Sequence, residues 1–170
     1  IVGCFNRIIA NWIRGRIAKH AEEHILQHQR GFLDGRQITQ NIIDVELAAL
    51  RVAKTGSKGA IILFDFAAAF PSVDQDYIWE ALRAWGLPEN AIKAMQKMYI
   101  NNENYLSIDG ERKSAFTTSS GVRRGCPLSP LLFVLCIEPL LRKLGGIDLS
   151  ILVRAFADDI ALVVPDLGKH

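Results

Sequence analysis

The sequence lacks a disulfide framework, a membrane-length apolar run and a strong net charge. Its three cysteines, Cys4, Cys126 and Cys136, are odd in number and lack the spacing of paired metal ligands. This pattern argues against a zinc ribbon and favours a reducing compartment. The longest apolar run, residues 131–137, is far shorter than the roughly 20 residues that span a bilayer. The formal charge of +2 over 170 residues says little about partners.

No signal peptide, internal repeat or low-complexity tract is present either. The chain starts with Ile1 rather than Met, and we interpret it as an excerpt from something larger. With 49% hydrophobic and 22% charged residues, the composition predicts one globular domain that is large enough to bury a core.

The charge is distributed unevenly along the chain. Residues 1–60 carry nine Lys and Arg against five Asp and Glu, whereas residues 61–110 carry three against seven. A basic flank beside an acidic centre is compatible with a phosphate-binding surface around a carboxylate site that holds metal. Ordinary fluctuation of surface charge produces the same distribution, so motifs have to decide.

Hydrophobic periodicity predicts the secondary structure. We predict helices over residues 6–27, 37–52, 73–85 (capped by Ser72), 88–99 and 131–144, with Pro139 expected to kink or shorten the last one. We predict a buried strand at 60–64, a hairpin around Asp109-Gly110, a loop at 121–130 and a second hairpin at 150–164. This order predicts an α+β fold with helices on one face of an antiparallel sheet.

Three carboxylates occupy unusual places in this arrangement. Asp65 follows the strand predicted to be buried, and Asp158 and Asp159 form the turn of the last hairpin. Either motif alone has an ordinary interpretation, because Asp is common in turns and at strand ends. If the two strands are neighbours in one sheet, however, the acids converge and repel one another unless a divalent cation neutralises them. Oxygen ligands favour Mg²⁺ or Mn²⁺, and two such ions support phosphoryl transfer.

Four segments resemble the motifs of reverse transcriptases in order and spacing. They are Phe64-Asp65-Phe66-Ala67-Ala68-Ala69-Phe70, Gly121-Val122-Arg123-Arg124-Gly125-Cys126-Pro127-Leu128-Ser129-Pro130, Phe156-Ala157-Asp158-Asp159 and, upstream, Gln29-Arg30-Gly31-Phe32 with Gly35-Arg36. The resemblance is strongest to the enzymes of non-LTR (LINE-like) retrotransposons, to which group II intron reverse transcriptases are related. It covers nearly the whole chain.

The resemblance implies an RNA-directed DNA polymerase, a nucleotidyltransferase whose palm domain belongs to the right-hand polymerase fold. Residues 1–58 would form partial fingers and the fingers–palm helices, residues 59–170 would form the palm, and the thumb would be absent. The implied partners are an RNA template, a DNA primer and a dNTP, together with the missing fingers and thumb segments of a parent polyprotein. No membrane is implied, and the location would be intracellular, in the nucleus or the cytoplasm.

The resemblance also implies a metal site that holds two Mg²⁺ ions, with Mn²⁺ as an alternative. Asp65 and Asp158 would be the principal ligands and the catalytic acids, and the Phe66 carbonyl would add one oxygen. Asp159 would be a catalytic acid and a weaker ligand, because adjacent residues near a strand end point apart.

For the nucleotide, the resemblance implies that Phe70 lies under the incoming sugar and excludes a 2′-hydroxyl by steric clash. The alternative for Phe70 is a core aromatic residue. Arg36, Arg124 and Gly125 would also bind the dNTP, with Gly125 allowing close approach of the backbone.

For the template and primer, the resemblance implies contacts from Arg30, Pro127 and Ser129, the last two in the loop beside the nascent base pair. The alternative for Arg30 and Arg36 is a solvated charge. His20, His24 and His28 recur at intervals of four and could in principle hold a metal, but neighbouring polar residues favour a polar helix face.

The chain departs from the family pattern at Arg124, where the family usually has Gln before the glycine of the loop. An Arg there can reach a phosphate, or it can mark a decayed copy. One alternative function is therefore a decayed or domesticated palm that binds nucleic acid without catalysis. Another is a different two-metal enzyme such as a nucleotide cyclase, against which the 121–130 loop and Phe70 argue.

Overall fold

The predicted helices and strands are present in the computed structural model, which describes residues 3–100 and 103–169. Their bounds are α1 Cys4–His24, α2 Ile38–Thr55, β1 Ala60–Phe64, α3 Ala69–Ser72, α4 Gln75–Ala84, α5 Glu89–Tyr99, β2 Glu103–Ile108, β3 Glu111–Thr117, α6 Ser129–Gly145, β4 Leu152–Phe156 and β5 Asp159–Val164, followed by a short 3₁₀ turn, Leu167–Lys169. No helix in the described ranges is long and apolar enough to cross a membrane.

Three strands form an antiparallel sheet in the order β1-β5-β4. β1 pairs with β5 from Ala60↔Val164 to Phe64↔Ile160, and β4 pairs with β5 on the other side. The segment after α1 lies along the free edge of β4, where Gln29 forms a parallel bridge with Ala155. The sequence between α1 and α2 thus extends the sheet beside the last hairpin.

The two faces of the sheet are covered by different helices. Val153 of β4 lies against the end of α6, where a Cβ on Gly145 would be 3.8 Å from the valine side chain. Its neighbour Arg154 reaches Asp44 of α2, and successive strand residues point to opposite faces. The predicted helical layer on one face is confirmed for α6 and the helices packed on it, and α2 lies on the other face.

The hydrophobic core lies around α6. Leu132, Val134, Leu135 and Leu141 are fully buried on α6, and Ile78 and Leu82 on α4 and Ile92 and Met95 on α5 are equally buried. Burial of a large aliphatic side chain contributes about 1.5–3 kcal/mol. This core supports the β4 and β5 side of the sheet.

The prediction that β1 is buried is wrong. Ile61 and Leu63 are 50% and 74% exposed, because β1 is an edge strand that pairs only with β5 in the described structure. A continuous apolar run marks a strand that is suited to burial on both faces. The apolar run does not show whether residues 1–170 provide the elements that would cover both faces of β1.

Of the two effects expected of Pro139, a kink or a shorter helix, the shorter helix is not observed, since α6 continues to Gly145. Proline has no N–H to donate to the carbonyl four residues earlier, which belongs to Leu135. The indole Nε1 of Trp85 donates to that carbonyl instead at 3.0 Å. The next carbonyl, of Cys136, accepts a hydrogen bond from the Tyr77 hydroxyl at 2.9 Å. Side chains from α4 and its C-terminal cap thus provide hydrogen-bond donors for two carbonyl groups of α6 beside the proline.

The helix predicted from Ser72 starts later than expected. The cap of α4 is Asp74, whose carboxylate accepts a hydrogen bond from the Tyr77 N–H at 3.0 Å. Ser72 instead ends the short helix α3 and donates its hydroxyl hydrogen to the Ala69 carbonyl. The Asp109-Gly110 hairpin is confirmed, with φ of 52° and 84° at the two residues, as a tight two-residue turn requires.

Candidate active site

The acids predicted to converge lie at one end of the three-stranded sheet. Asp65 follows Phe64, whose strand partner is Ile160, and Ile160 directly follows Asp159. Asp158 lies in the turn between β4 and β5. The condition for convergence, that the two strands are neighbours in one sheet, is therefore met, although 93 positions separate Asp65 from Asp158 in the sequence.

The three side chains do not share one cavity. Asp158 lines a cavity of ≈ 520 Å³ together with Phe66, Phe70 and Arg124. Asp65 and Asp159 instead line an apolar groove of ≈ 820 Å³ between α2 and the sheet. Accordingly, no group of three or more His, Cys, Asp or Glu residues in the described part of the chain is arranged to hold a metal.

The three carboxylates have no cationic partner among the residues that the structure describes. Asp44 provides the contrast, because it pairs with Arg30 at 2.7 Å and Arg154 at 2.6 Å. The assumption that Asp65 is next to buried core is wrong, since Asp65 and Asp159 are exposed and Asp158 is half-buried. The three carboxylates are therefore at least partly accessible rather than enclosed by core.

The donor chemistry fits hard divalent cations. Carboxylate oxygens near a backbone carbonyl are the ligands that Mg²⁺ and Mn²⁺ prefer, and Phe66 borders the same cavity as Asp158. The structure thus brings suitable ligands to one end of the sheet without closing them into a complete set.

Phe70 lies at the wall of the Asp158 cavity. Its ring stacks on Phe133 with centroids 4.6 Å apart and an interplanar angle of 7°, and it meets Phe32 edge-on at 5.9 Å. The residue is half-buried. Phe70 thus combines core packing with a position at the cavity, and its role as a sugar filter stays a prediction.

Backbone hydrogen bonds join the 121–130 loop to the segment that follows Asp65. Val122 N–H donates to the Phe70 carbonyl at 2.9 Å, and Gly121 N–H donates to the Val73 carbonyl at 2.6 Å. A Cβ at position 121 would lie 2.5 Å from Pro71 Cα, and φ at Gly121 is 81°. Glycine is therefore required where the loop passes Pro71.

The two arginines of the loop differ. Arg123 donates from Nη1 to the Met98 carbonyl at 2.6 Å and lies over the Tyr99 ring. Arg124 is exposed at the Asp158 cavity and has no hydrogen bond or ion pair with any described residue. Its guanidinium is thus available to a phosphate. Gly125 lines the same cavity with φ of 76°.

Ser129 and Pro127, predicted to contact nucleic acid, lie in different environments. Ser129 is 2% exposed and donates its hydroxyl hydrogen to the Arg123 carbonyl at 2.6 Å. Pro127 is half-buried and does not border the Asp158 cavity. Their contact with nucleic acid stays a prediction.

Arg30 and Arg36 are both bound within the chain. Arg30 donates to Asn41 and Asp44 at 2.8 and 2.7 Å. Arg36 donates to the Ile25, Leu26 and Gln29 carbonyls at 2.6 to 2.9 Å. These bonds favour a structural role over a solvated charge, and contact with phosphate stays a prediction for both. The hydrogen bonds from Arg154 and Arg30 lower the pKa of Asp44 below its ordinary value.

Sequence reasoning missed the side chains that hold the Asp158 turn. Gln29 binds the backbone of Ala157, and Asn41 donates to the Ala155 carbonyl at 2.8 Å. The upstream motif that begins at Gln29 was the one sequence feature that could have pointed to these contacts. The resemblance did not indicate what the Gln29 side chain binds.

The histidines of the first segment make separate contacts. His20 Nε2 is 3.1 Å from the Trp85 carbonyl, and His24 Nδ1 is 2.9 Å from the His20 carbonyl. His28 lies beyond the end of α1, and burial lowers its pKa. The His24 ring also meets the Trp85 ring edge-on with centroids 5.8 Å apart, so His20 and His24 both pack between α1 and the C-terminal cap of α4.

The antiparallel sheet with acids at one end, helices behind it and a glycine-containing loop beside it is the arrangement expected of a right-hand polymerase palm. The chain belongs to the family described as reverse transcriptase (RNA-dependent DNA polymerase), which matches residues 1–170.

Relatives of the chain come from non-LTR retrotransposons. It is 30% identical over 170 residues to a Transposon TX1 uncharacterized 149 kDa protein of Xenopus laevis, covering 95% of this chain and 13% of the relative. It is 34% identical over 142 residues to the Retrovirus-related Pol polyprotein from type-2 retrotransposable element R2DM of Drosophila melanogaster, covering 79% of this chain and 13% of the relative. The chain thus spans a small part of these relatives.

A solved structure supports the fold. Apo telomerase of Candida tropicalis, truncated from its C-terminal domain, aligns with a TM-score of 0.62 and 13% identity over 96% of this chain and 34% of the telomerase chain. At this identity the likeness shows the fold alone, and the predicted fold class is confirmed. The division at residue 58 stays a prediction.

Proposed function

We propose that this chain is the catalytic centre of a retroelement RNA-directed DNA polymerase that adds dNTPs to a primer 3′ end. One observation carries the proposal: β1 and β5 bring Asp65 beside the Asp158–Asp159 corner, next to a cavity bordered by Phe70 and Arg124. Membership of the reverse transcriptase family supports it.

The metal site would use Asp65 and Asp158 as principal ligands, with Asp159 and the Phe66 carbonyl as further oxygens. Two Mg²⁺ ions, when bound, would activate the attacking 3′-hydroxyl and stabilise the leaving phosphate oxygen. Asp65 and Asp158 line different cavities. Cations bound at this end of the sheet would offset the mutual repulsion of carboxylates that share them.

The incoming dNTP would lie in the Asp158 cavity. Phe70 would contact the sugar and exclude a 2′-hydroxyl, while the free guanidinium of Arg124 would bind a phosphate. The exposed backbone at Gly125 would allow close approach of the nucleotide. Arg36 would act on the triphosphate only if it exchanged carbonyl bonds for phosphate bonds.

Template and primer would contact Arg30, Pro127 and Ser129 through the surface beside this cavity. Residues 1–58 would belong to the fingers and residues 59–170 to the palm. The relatives are much longer than this chain, which supports its being part of a polyprotein. Other segments of that polyprotein would complete the fingers and supply the thumb. Retroelement replication would occur in the nucleus or the cytoplasm.

Primer extension on an RNA template with Mg²⁺ tests the proposal, with the chain within its full polyprotein. Asp65→Asn and Asp158→Asn should each reduce synthesis at least about 1000-fold, because each removes a charged metal ligand. Asp76→Asn is the matched control, since this acid is exposed in the first turn of α4. Synthesis at the parental rate by both site variants contradicts the assignment.

Sugar selectivity tests the position of Phe70. Phe70→Val shortens the side chain at the cavity and should raise incorporation of rNTP relative to dNTP about tenfold or more. Phe133→Leu is the control, because Phe133 stacks on Phe70 but does not border the cavity. Selectivity that changes equally in both variants would assign Phe70 to core packing alone.

The non-catalytic alternative rests on Arg124, which replaces the usual glutamine of the family. Comparison of Arg124→Gln with the parent separates the two functions. Parental synthesis that falls about tenfold in the variant assigns Arg124 to phosphate binding in an active enzyme. Nucleic-acid binding without synthesis in the parent, with synthesis restored by Arg124→Gln, identifies a decayed copy.

A further inference from the structure

The side chain of Gln29 is fully buried. It binds the turn at residues 157–158 that joins β4 to β5 and carries Asp158 (the Asp158 corner). Its Nε2 donates to the Ala157 carbonyl at 3.0 Å. Its Oε1 accepts from the Ala157 N–H at 2.9 Å and from the Gly31 N–H at 2.7 Å. One amide therefore binds both backbone polar groups of the residue that precedes Asp158.

That residue needs support. Ala157 has φ of 58°, a left-handed conformation that L side chains other than Asn and Asp rarely adopt. Its two backbone groups bind the Gln29 amide rather than solvent. Ala157 and Asp158 share a peptide unit, and the carbonyl of that unit is the one that Gln29 Nε2 binds.

The contacts around Gln29 reinforce this arrangement. The Ala155 N–H donates to the His28 carbonyl at 2.7 Å, and the Ala155 carbonyl accepts from the Arg30 N–H at 2.9 Å. At position 31 a Cβ would lie 2.2 Å from the Ala157 nitrogen. Glycine is therefore what allows the segment to approach the turn closely enough for the Gln29 bonds to form.

We propose that Gln29 is a positioning residue that sets the direction of Asp158 at the metal site. This inference rests on the proposed polymerase function, to which it adds a residue from the segment before α2. An amide suits the position because a single planar group supplies a donor and an acceptor. A carboxylate supplies acceptors alone, and one of its oxygens would face the Ala157 carbonyl.

The test is Gln29→Glu in the full polyprotein, measured by primer extension at several pH values. Burial raises the pKa of a carboxylic acid, and the neutral acid can donate to the Ala157 carbonyl as the amide does. We expect kcat to fall about 10- to 100-fold relative to the parent at pH 8, the usual range for a residue that orients a metal ligand. Kcat relative to the parent should recover at pH 6, because protonation restores the donor.

The matched control is Gln27→Glu, which places the same charge on an exposed side chain two residues earlier. It should keep the parental ratio of activities at pH 6 and pH 8. A Gln29→Glu profile that is indistinguishable from the control overturns the proposal. So does a loss in Gln29→Glu of equal size at every pH.

Gln29→Met keeps the test decisive if a buried carboxylate prevents folding, because it removes both hydrogen-bonding functions at similar volume and without charge. We expect the half-saturating Mg²⁺ concentration to rise about tenfold while KM for dNTP stays within twofold. An unchanged Mg²⁺ requirement in this variant overturns the inference. Failure of the proposed function is distinguishable, since the parent and Gln27→Glu would then also fail to extend the primer.

Discussion

The Asp158 corner and the β1 edge lie side by side in one sheet and are supported in different ways. Around the corner, Ala155 and Ala157 are 1% and 4% exposed, and their backbones are bound by the segment before α2. On β1, Leu63 is 74% exposed and pairing with β5 is the main contact. The turn that carries Asp158 is therefore held by buried neighbours, whereas Asp65 follows an exposed edge strand.

Gly31→Ala should displace the backbone at the Asp158 corner and give the largest loss of stability. The added methyl would lie 2.2 Å from the Ala157 nitrogen, so the backbone has to shift. We expect the free energy of unfolding to fall by about 3 kcal/mol, measured by denaturant titration. Gly15→Ala is the control, because nothing lies within 4 Å of its Cβ in α1. A loss no larger in Gly31→Ala than in the control would show that the corner is loosely held.

Val153→Ala on β4 and Leu63→Ala on β1 compare side-chain burial on the two outer strands of the sheet. Val153 on β4 is 3% exposed, and we expect its truncation to lower the free energy of unfolding by about 2 kcal/mol. Leu63→Ala removes a larger but exposed side chain, so a change within about 0.5 kcal/mol is expected. Denaturant titration measures both. Equal losses would mean that β1 is as firmly packed as β4 in solution.

Asp44→Asn should give a smaller effect that depends on pH. Asp44 ties α2 to the corner through Arg154 and Arg30, and we expect neutralisation to lower the free energy of unfolding by about 1 kcal/mol at pH 7. The folded pKa of Asp44 is lower than its ordinary value. Its stabilisation is therefore present above the ordinary pKa of about 3.9 and is lost as pH falls through the lower folded pKa.

Thermal or denaturant unfolding of the parent and Asp44→Asn at pH 7 and near pH 2 measures this dependence. The difference between the two proteins should shrink at the lower pH. Asp34→Asn is the control, because Asp34 is 88% exposed and its contact with Arg14 is 3.9 Å long. A difference that grows as the pH falls contradicts the assigned sign.

Local patterns predicted the element order and the convergence of the acids. The strand Ala60–Phe64 was placed with its bounds, because five apolar residues after a glycine are too few for a typical helix and fit a strand. The exposure of β1 was not predictable in this way, since burial depends on which layers cover a strand. Likewise, the continuation of α6 past Pro139 depends on Trp85, which is 54 positions away in the sequence.

The sequence named the residues of the candidate site but not the side chains that bind the turn carrying Asp158. Motif resemblance named Asp65, Asp158 and Phe70, because chemistry restricts the residue types there. The role of Gln29 was missed because its bonds join residues 128 positions apart. A glutamine carries no periodicity or charge that would reveal such a contact. Similarly, spacing alone did not show that Asp65 and Asp158 line different cavities.

Joint coordination of divalent cations by Asp65 and Asp158 can be measured as Mn²⁺ binding, followed by electron paramagnetic resonance in the parent, Asp65→Asn and Asp158→Asn. We expect each single substitution to weaken binding at least about tenfold, while Asp76→Asn binds as the parent does. Parental Mn²⁺ affinity in either site variant would contradict shared coordination.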